Sequence, residues 1–98
     1  MPKIEEEIES SLALSEPTKY KVLLHNDDYT TMDFVVEVLM GIFHKNIAQS
    51  EQIMLGIHQS GKAVCGIYSY EIAQTKVYQV KQLAKGSGFP LLATLEEE

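Results

Sequence analysis

Short apolar runs alternate along the chain with longer segments in which apolar residues recur every three or four positions. The run YKVLL at 20–24 is rich in residues that favour strands and stops at a polar cluster, so it predicts a first strand. The runs KAVCGIY at 62–68 and LLATL at 91–95 have the same character and predict a second and a third strand. The segments between these runs predict helices.

The first helix is predicted to begin at Thr30 or Thr31, because either hydroxyl can cap a helix whose first turn carries the acid Asp33. Its apolar residues at helical spacing are expected to point inward, and they are Met32, Val35, Val36, Leu39 and Phe43.

Two more helices follow from similar signals. Asn46 and Gln49 have the spacing of a capping box, and Gly61 ends the helix that they begin. Ser69 opens the last helix, which ends in the glycine-containing stretch 86–88. Since only a few residues join the first two helices, we expect these two to form a helical hairpin.

The element order β-α-α-β-α-β predicts an α+β fold, a two-layer sandwich in which three helices cover one face of a three-stranded sheet. A single-helix crossover makes the second and third strands parallel to each other. If the first strand lies between them, every neighbouring pair is antiparallel, and we expect that antiparallel sheet.

The N-terminal residues 1–17 are acidic and end at Pro17, which discourages a helix from continuing into the first strand. Within them Ile4, Ile8 and Leu12 recur every four residues. Two interpretations stay open: one is a flexible solvated extension, and the other is a transient helix or docking segment. We therefore expect a flexible acidic extension at 1–17 and one folded core domain at 18–98.

Composition narrows the class of partner. The 98 residues carry a formal net charge of −6, with eight lysines and no arginine, which argues against nucleic acid because phosphates need clustered basic side chains. No segment has the length and apolarity of a signal peptide or a membrane span, and the lone Cys65 suits a reducing compartment. We expect a cytoplasmic monomer that binds neither nucleic acid nor membrane.

The segment HNDDYTTMDF at 25–34 invites a test for calcium. With Asn26 at position one of an EF-hand loop, Asp28, Thr30 and Glu37 fall at positions three, five and twelve. The pattern fails at position six, where Thr31 replaces the glycine that the sharp turn needs. The sequence does not predict a calcium site.

The sequence gives little support for a transition-metal site or for a catalytic site. His25, His44, His58 and Cys65 have no recognised close ligand spacing. Cys65 lies inside a predicted strand, and no serine has the GxSxG setting of a hydrolase nucleophile. We expect no enzymatic activity, no metal and no cofactor.

The cluster Asn26-Asp27-Asp28 is denser in acceptors than a turn requires. Adjacent carboxylates repel each other, so a cationic ligand is a sharper explanation than a turn alone. His58 ends the apolar run IMLGIH and could reach the same place, although a structural histidine is the ordinary interpretation. Met32 and Met54 fit either the core or the adaptable lining of a pocket.

The chain resembles the ClpS adaptor family through NDDYT at 26–30, Met32, FVVEVL at 34–39, MLGIH at 54–58, GKAVCGIY at 61–68, EIAQTKV at 71–77 and PLLATLE at 90–96. The resemblance implies a fold similar to the C-terminal domain of the ribosomal stalk protein. It also implies a non-catalytic adaptor of the N-degron pathway. Such an adaptor binds substrates whose free N-terminal residue is Leu, Phe, Tyr or Trp and delivers them to the ClpA or ClpC AAA+ unfoldase of the Clp protease.

The same resemblance implies roles for individual residues. The substrate's α-amino group would be held by Asn26, Asp27, Asp28 and His58, with the choice between the two aspartates left open, and Thr30 would touch the substrate backbone. The side-chain pocket would be lined by Met32, Val35, Met54, Ile57 and Leu91, with Met32 as a gate against β-branched residues. The unfoldase would contact Glu71 and Lys76.

The chain departs from the family pattern in two places. Thr31 stands where the family commonly has proline, and His25 stands where an aliphatic residue is frequent. A histidine close to the pocket would make binding sensitive to pH. The alternative function is an interaction domain like that of the ribosomal stalk, without specificity for N-termini.

Overall fold

The computed structural model describes residues 17–98, and the predicted extension lies outside the described residues except for Pro17. The elements, in order, are strand β1 (Lys19–His25), helix α1 (Met32–Gly41), helix α2 (Ile47–Ser60), strand β2 (Lys62–Ser69), helix α3 (Tyr70–Ser87) and strand β3 (Leu92–Glu97). This order confirms the predicted α+β fold.

The sheet has the strand order β2-β1-β3, with β1 antiparallel to both neighbours, as predicted. His25, at the end of β1, pairs with Lys62 on one side and Leu92 on the other. The third strand begins at Leu92, one residue after the predicted Leu91, since the pairing of β1 with β3 ends at His25 and Leu92. The end of β1 thus becomes a fixed edge from which the next loop departs.

Capping follows the sequence closely. Thr31, and not Thr30, caps α1, since its Oγ1 accepts a hydrogen bond of 3.1 Å from the amide of Phe34. Asn46 and Gln49 form the predicted capping box of α2, with bonds of 2.8 and 3.1 Å. Gly61 ends that helix at φ 90°, a left-handed conformation that glycine adopts without steric cost.

The end of α3 lies within the glycine-containing stretch that the sequence predicts. The helix runs through Gly86 to Ser87, and of the two glycines Gly88, at φ 80°, has the left-handed cap conformation. A glycine inside a helix is tolerated when the following glycine supplies the cap. Phe89 follows this cap, and its ring lies 4.7 Å, centre to centre, from the ring of Phe34 on α1.

The core lies between the sheet and the helices. Val22 and Leu24 of β1 are fully buried, as are Val38 and Leu39 of α1 and Val80 of α3. Phe43 is also buried although it lies beyond the end of α1. The central strand and the inner faces of α1 and α3 therefore share one apolar cluster, which fixes the position of α1 against the end of β1.

Replacing Leu24 with alanine should lower the free energy of unfolding by about 2 to 5 kcal/mol, because the side chain is fully buried and would leave a cavity. Urea denaturation followed by circular dichroism measures this change. Leu83→Ala removes the same atoms from a residue that is 38% exposed and should cost much less. Equal costs for the two variants would contradict the assigned core.

Candidate functional site

A cavity of about 280 Å³ opens where the end of β1 meets the start of α1 and one face of α2. Its polar lining comes mainly from the loop that follows β1, and its apolar lining comes from the two helices. The residues that line it are Asn26, Asp27, Asp28, Thr30, Met32, Val35, Met54, Ile57 and His58. The structure thus brings together nine side chains that lie in two separate parts of the sequence.

One backbone hydrogen bond joins the two parts. The amide of Asn26 donates to the carbonyl of Gly61 over 2.8 Å, so the loop after β1 is tied to the C-terminal end of α2. His58 lies in the last turn of that helix and therefore faces the same cavity as Asn26. The sequence predicts Gly61 as a helix cap, but it does not predict that the carbonyl of Gly61 accepts a hydrogen bond from the distant amide of Asn26.

Asp27 organises the loop from within. Its Oδ1 accepts from the amides of Tyr29, at 2.8 Å, and Thr30, at 2.6 Å, while its Oδ2 accepts from the Thr30 hydroxyl at 2.6 Å. Partial burial raises the pKa of Asp27, but the hydrogen bonds from Thr30 and Tyr29 lower it more strongly, so its pKa lies below the ordinary value of 3.8. Both carboxylate oxygens are therefore already engaged in holding the loop's shape.

Asp28 is in a different situation from its neighbour. Its side chain is exposed at the cavity, and within residues 17–98 no group hydrogen-bonds to it. The side chains of Asn26 and His58 likewise make no hydrogen bond to another described residue. The cavity therefore offers an amide oxygen, a carboxylate and an imidazole as open polar groups along one rim.

The floor of the cavity is apolar and rigid. Val35 on α1 and Ile57 on α2 are 7% and 2% exposed and belong to the main core, and the half-buried Met54 packs against that core. Ile57 lies three residues after Met54, so the two share one face of α2. Met32 begins α1 and is 45% exposed, which places it at the mouth and not in the core suggested by its helical spacing.

Two residues with expected pocket roles lie elsewhere. Leu91 does not line this cavity; it is buried in the core and lines a separate cavity of about 530 Å³ between α3 and β3. His25 Nε2 lies 2.7 Å from the Thr94 hydroxyl on β3 and is likewise absent from the cavity lining. The expected effect of His25 on binding therefore has no contact in the cavity to support it.

The residues expected to face an unfoldase lie on α3. Glu71 is exposed in the first turn of that helix. Lys76 is half-buried, and its Nζ donates a 2.7 Å hydrogen bond to the carbonyl of Ile42 just beyond α1. The same ammonium lies 5.7 Å from the centre of the Tyr68 ring. Lys76 therefore also connects α3 to the end of α1, a contact between residues 34 positions apart that no local pattern predicts.

The described residues give no sign of other chemistry. Residues 17–98 contain no group of three or more histidine, cysteine or acidic side chains placed to hold a metal. Cys65 is buried, and burial raises its pKa to about 12, so the thiol stays protonated near neutral pH. None of the helices in this part of the chain is long and apolar enough to cross a membrane.

Comparisons with known proteins agree with this arrangement. The family model "ATP-dependent Clp protease adaptor protein ClpS" matches residues 15–94. A protein of Wolinella succinogenes named ATP-dependent Clp protease adapter protein ClpS is 57% identical over 93 residues, which cover 95% of this chain and 91% of that protein. A protein of the same name from Shewanella piezotolerans is 54% identical over 94 residues, covering 96% and 90% of the two chains.

A solved structure is also similar. Agrobacterium tumefaciens ClpS2 bound to L-phenylalaninamide superimposes with a TM-score of 0.82 at 40% identity, and the match covers 85% of this chain and all of the other. The extent of the family match and the identity of the relatives are both high. This chain belongs to the ClpS family of ATP-dependent Clp protease adaptors.

Proposed function

We propose that this adaptor binds the free N-terminus of proteins whose first residue is Leu, Phe, Tyr or Trp, and delivers them in the cytoplasm to the ClpA or ClpC unfoldase of the Clp protease. The observation that supports this most strongly is the cavity itself, in which three open polar groups stand beside a closed apolar floor. An N-terminal residue presents the same two features, an ammonium next to a side chain. No covalent chemistry is needed, and the adaptor is not an enzyme in this proposal.

The polar rim suits an α-ammonium group. An ammonium has three N–H donors, and Asn26, Asp28 and His58 offer one acceptor each. Asp28 supplies the charge, since the oxygens of Asp27 are engaged with Tyr29 and Thr30. These hydrogen bonds support a division in which Asp28 would contact the amine and Asp27 would support the loop.

The apolar floor suits a large side chain that is not branched at its β-carbon. Val35, Met54 and Ile57 would contact that side chain, and Met32 at the mouth would collide with the second branch of a β-branched residue. Thr30 lines the cavity with its hydroxyl turned to Asp27, and its oxygen keeps a lone pair for the amide of the second substrate residue.

Magnitudes show that both halves are needed. Burial of one large apolar side chain contributes about 1.5 to 3 kcal/mol. Each hydrogen bond to a charged group contributes about 1.5 to 3 kcal/mol. Micromolar affinity requires about 8 kcal/mol. Burial of the side chain falls well short of this value, and three hydrogen bonds at the middle of their range fall short as well.

The ligand of the similar A. tumefaciens structure supports this division. L-Phenylalaninamide has a free amino group and a large aromatic side chain, and it has no free carboxylate. It therefore carries the two features that the cavity of this chain can accommodate.

Delivery would use the exposed surface of α3. Glu71 is exposed, its side chain makes no hydrogen bond to another described residue, and it is the better candidate for a direct unfoldase contact. Lys76 would contribute in addition to its bond to Ile42, so a Lys76 variant combines loss of a contact with loss of support for α1.

Fluorescence anisotropy with labelled peptides tests the proposed function. A peptide that begins with Phe or Leu should bind, whereas its N-acetylated form and a peptide that begins with Ala should bind at least about tenfold more weakly, because each lacks one half of the recognition. Equal binding of all these peptides, or of none, would contradict the proposal. It would favour an interaction domain similar to that of the ribosomal stalk.

Alanine substitutions at Asp27 and Asp28 should have different effects on peptide affinity and on stability. Asp28→Ala should weaken peptide binding about tenfold to hundredfold, the loss of one hydrogen bond to a charged group, with little change in stability. Asp27→Ala should lower the free energy of unfolding at neutral pH, because three hydrogen bonds in the loop are lost. The peptide titration and urea denaturation distinguish these outcomes, and a reversed pattern would exchange the assigned roles.

Acid should remove the contribution of Asp27. Because its pKa is lowered by folding, the ionised carboxylate stabilises the native state above the ordinary pKa of 3.8, and this stabilisation is lost as the pH falls through the lower native value. The stability difference between wild type and Asp27→Ala should therefore be full at pH 7 and shrink below about pH 4. A difference that grows on acidification would contradict the lowered pKa.

Met32→Ala should admit peptides that begin with Ile or Val, because the side chain at the mouth would no longer meet the β-branch. Binding of Phe peptides should remain, since the floor residues are unchanged. The same anisotropy assay measures both, with the equally exposed Met40→Ala on α1 as the matched control. Continued rejection of Ile peptides by Met32→Ala would show that selection against β-branching arises elsewhere.

A further inference from the structure

The side of the sheet that faces away from the helices is uncovered in the described part of the chain. Val22 and Leu24 of β1 point into the core, so the alternate residues of this strand point to the opposite side. Pairing places Ile67 beside Lys21, and Lys62 and Leu92 on either side of His25. We call this side the outer sheet face and define it by Lys19, Lys21, Lys62, Val64, Ile67 and Leu92.

The outer sheet face is partly apolar. Val64, Ile67 and Leu92 are 42%, 46% and 54% exposed, and they surround Leu23, which is nearly buried at the centre of the face. Apolar side chains grouped in this way on a sheet commonly mark a contact surface. None of them belongs to the core cluster, so they do not serve the packing of the helices.

The face is also cationic, although the chain as a whole carries a net charge of −6. It holds three of the eight lysines of the chain. Strand pairing places one carboxylate, that of Glu96, beside Lys21. A second copy of this chain would bring lysines against lysines, which disfavours a symmetric dimer through this face. The chemistry instead fits an acidic segment with regularly spaced apolar side chains.

Residues 1–16 have that chemistry. They contain five glutamates against one lysine, and Ile4, Ile8 and Leu12 recur every four residues. Only Pro17 and Thr18 separate them from Lys19, so the segment is tethered at one corner of the outer sheet face. A short tether gives an effective concentration of about millimolar, which lets individually weak contacts form within one molecule.

The length of the segment is sufficient. The face extends along the seven residues of β1, about 23 Å at roughly 3.3 Å per residue. Sixteen residues span about 24 Å as a helix and about 50 Å when extended. The segment can therefore reach Leu92 and Val64 from its tether in either form.

We propose that residues 1–16 bind in cis across the outer sheet face, with Ile4, Ile8 and Leu12 against its apolar side chains and the glutamates near its lysines. The cavity is lined by α1, α2 and the loop after β1, so it stays open when the segment is bound. The segment is then held on the side opposite the cavity until a partner displaces it. This inference is independent of the proposed peptide specificity.

Paramagnetic relaxation in the full-length chain tests the proposal. A nitroxide attached to Ser11→Cys labels that site selectively, because Cys65 is buried and its thiol stays protonated. At low salt the amide signals of Val64, Ile67 and Leu92 should broaden, while those of Tyr78 and Leu83 on α3 should not. Raising the salt concentration should weaken the broadening, because salt screens the attraction between glutamate and lysine side chains.

A pair of matched variants gives the charge dependence. Lys19→Glu with Lys62→Glu should abolish the broadening, whereas Lys81→Glu with Lys85→Glu, the same charge change on α3, should leave it intact. Both double variants should bind a Phe peptide with unchanged affinity. The broadening therefore reports on docking alone, and the peptide titration reports on the proposed function alone. Broadening spread evenly over the molecule, or lost equally in both variants, would overturn the proposal.

A mixing experiment separates binding within one chain from binding between chains. Isotope-labelled chains without a nitroxide are mixed with unlabelled chains that carry it at position 11. Undisturbed signals in the mixture support docking in cis. Broadening of the outer-face signals in the mixture would show association between copies and would overturn the proposal.

Discussion

The candidate site is organised around one backbone hydrogen bond, from the amide of Asn26 to the carbonyl of Gly61. Asn26 is the first residue after β1, and Gly61 is the left-handed cap of α2, directly before β2. The bond continues the pairing of β1 with β2 by one step beyond His25 and Lys62. It joins the acidic loop to the helix that carries His58, and the core packing of Val35 and Ile57 holds the apolar halves of the site together.

Similar side chains in the candidate site differ in their contacts because their surroundings differ. Asp27 and Asp28 are adjacent, yet one is engaged by three hydrogen bonds from its own loop and the other is open to the cavity. Val35 and Ile57 are at once part of the core and part of the cavity floor. The packing that forms the core therefore also shapes the cavity before a ligand arrives. A preformed cavity reduces the conformational entropy that the protein loses on binding.

Charge is distributed unevenly over the molecule. The cavity rim is acidic, which suits an ammonium, whereas the opposite side of the sheet carries three lysines on an otherwise acidic protein. Lys76 adds a cation at the end of α1, where helix carbonyls lack partners and a lysine is favourable. The three proposed surfaces, for substrate, for an unfoldase and for an acidic segment, therefore lie on separate parts of this domain.

The sequence alone determined the order of elements, the caps at Asn46 and Gly61 and the family, because these depend on local patterns and on quoted motifs. It also named the residues of the cavity, but it could not show that Asp27 and Asp28 differ in their hydrogen bonds, or place Leu91, His25 and Lys76. Those outcomes depend on contacts between residues far apart in the chain, such as His25 with Thr94 and Lys76 with Ile42. Spacing along a chain records which side chains share a face, and only packing in three dimensions decides what each face meets.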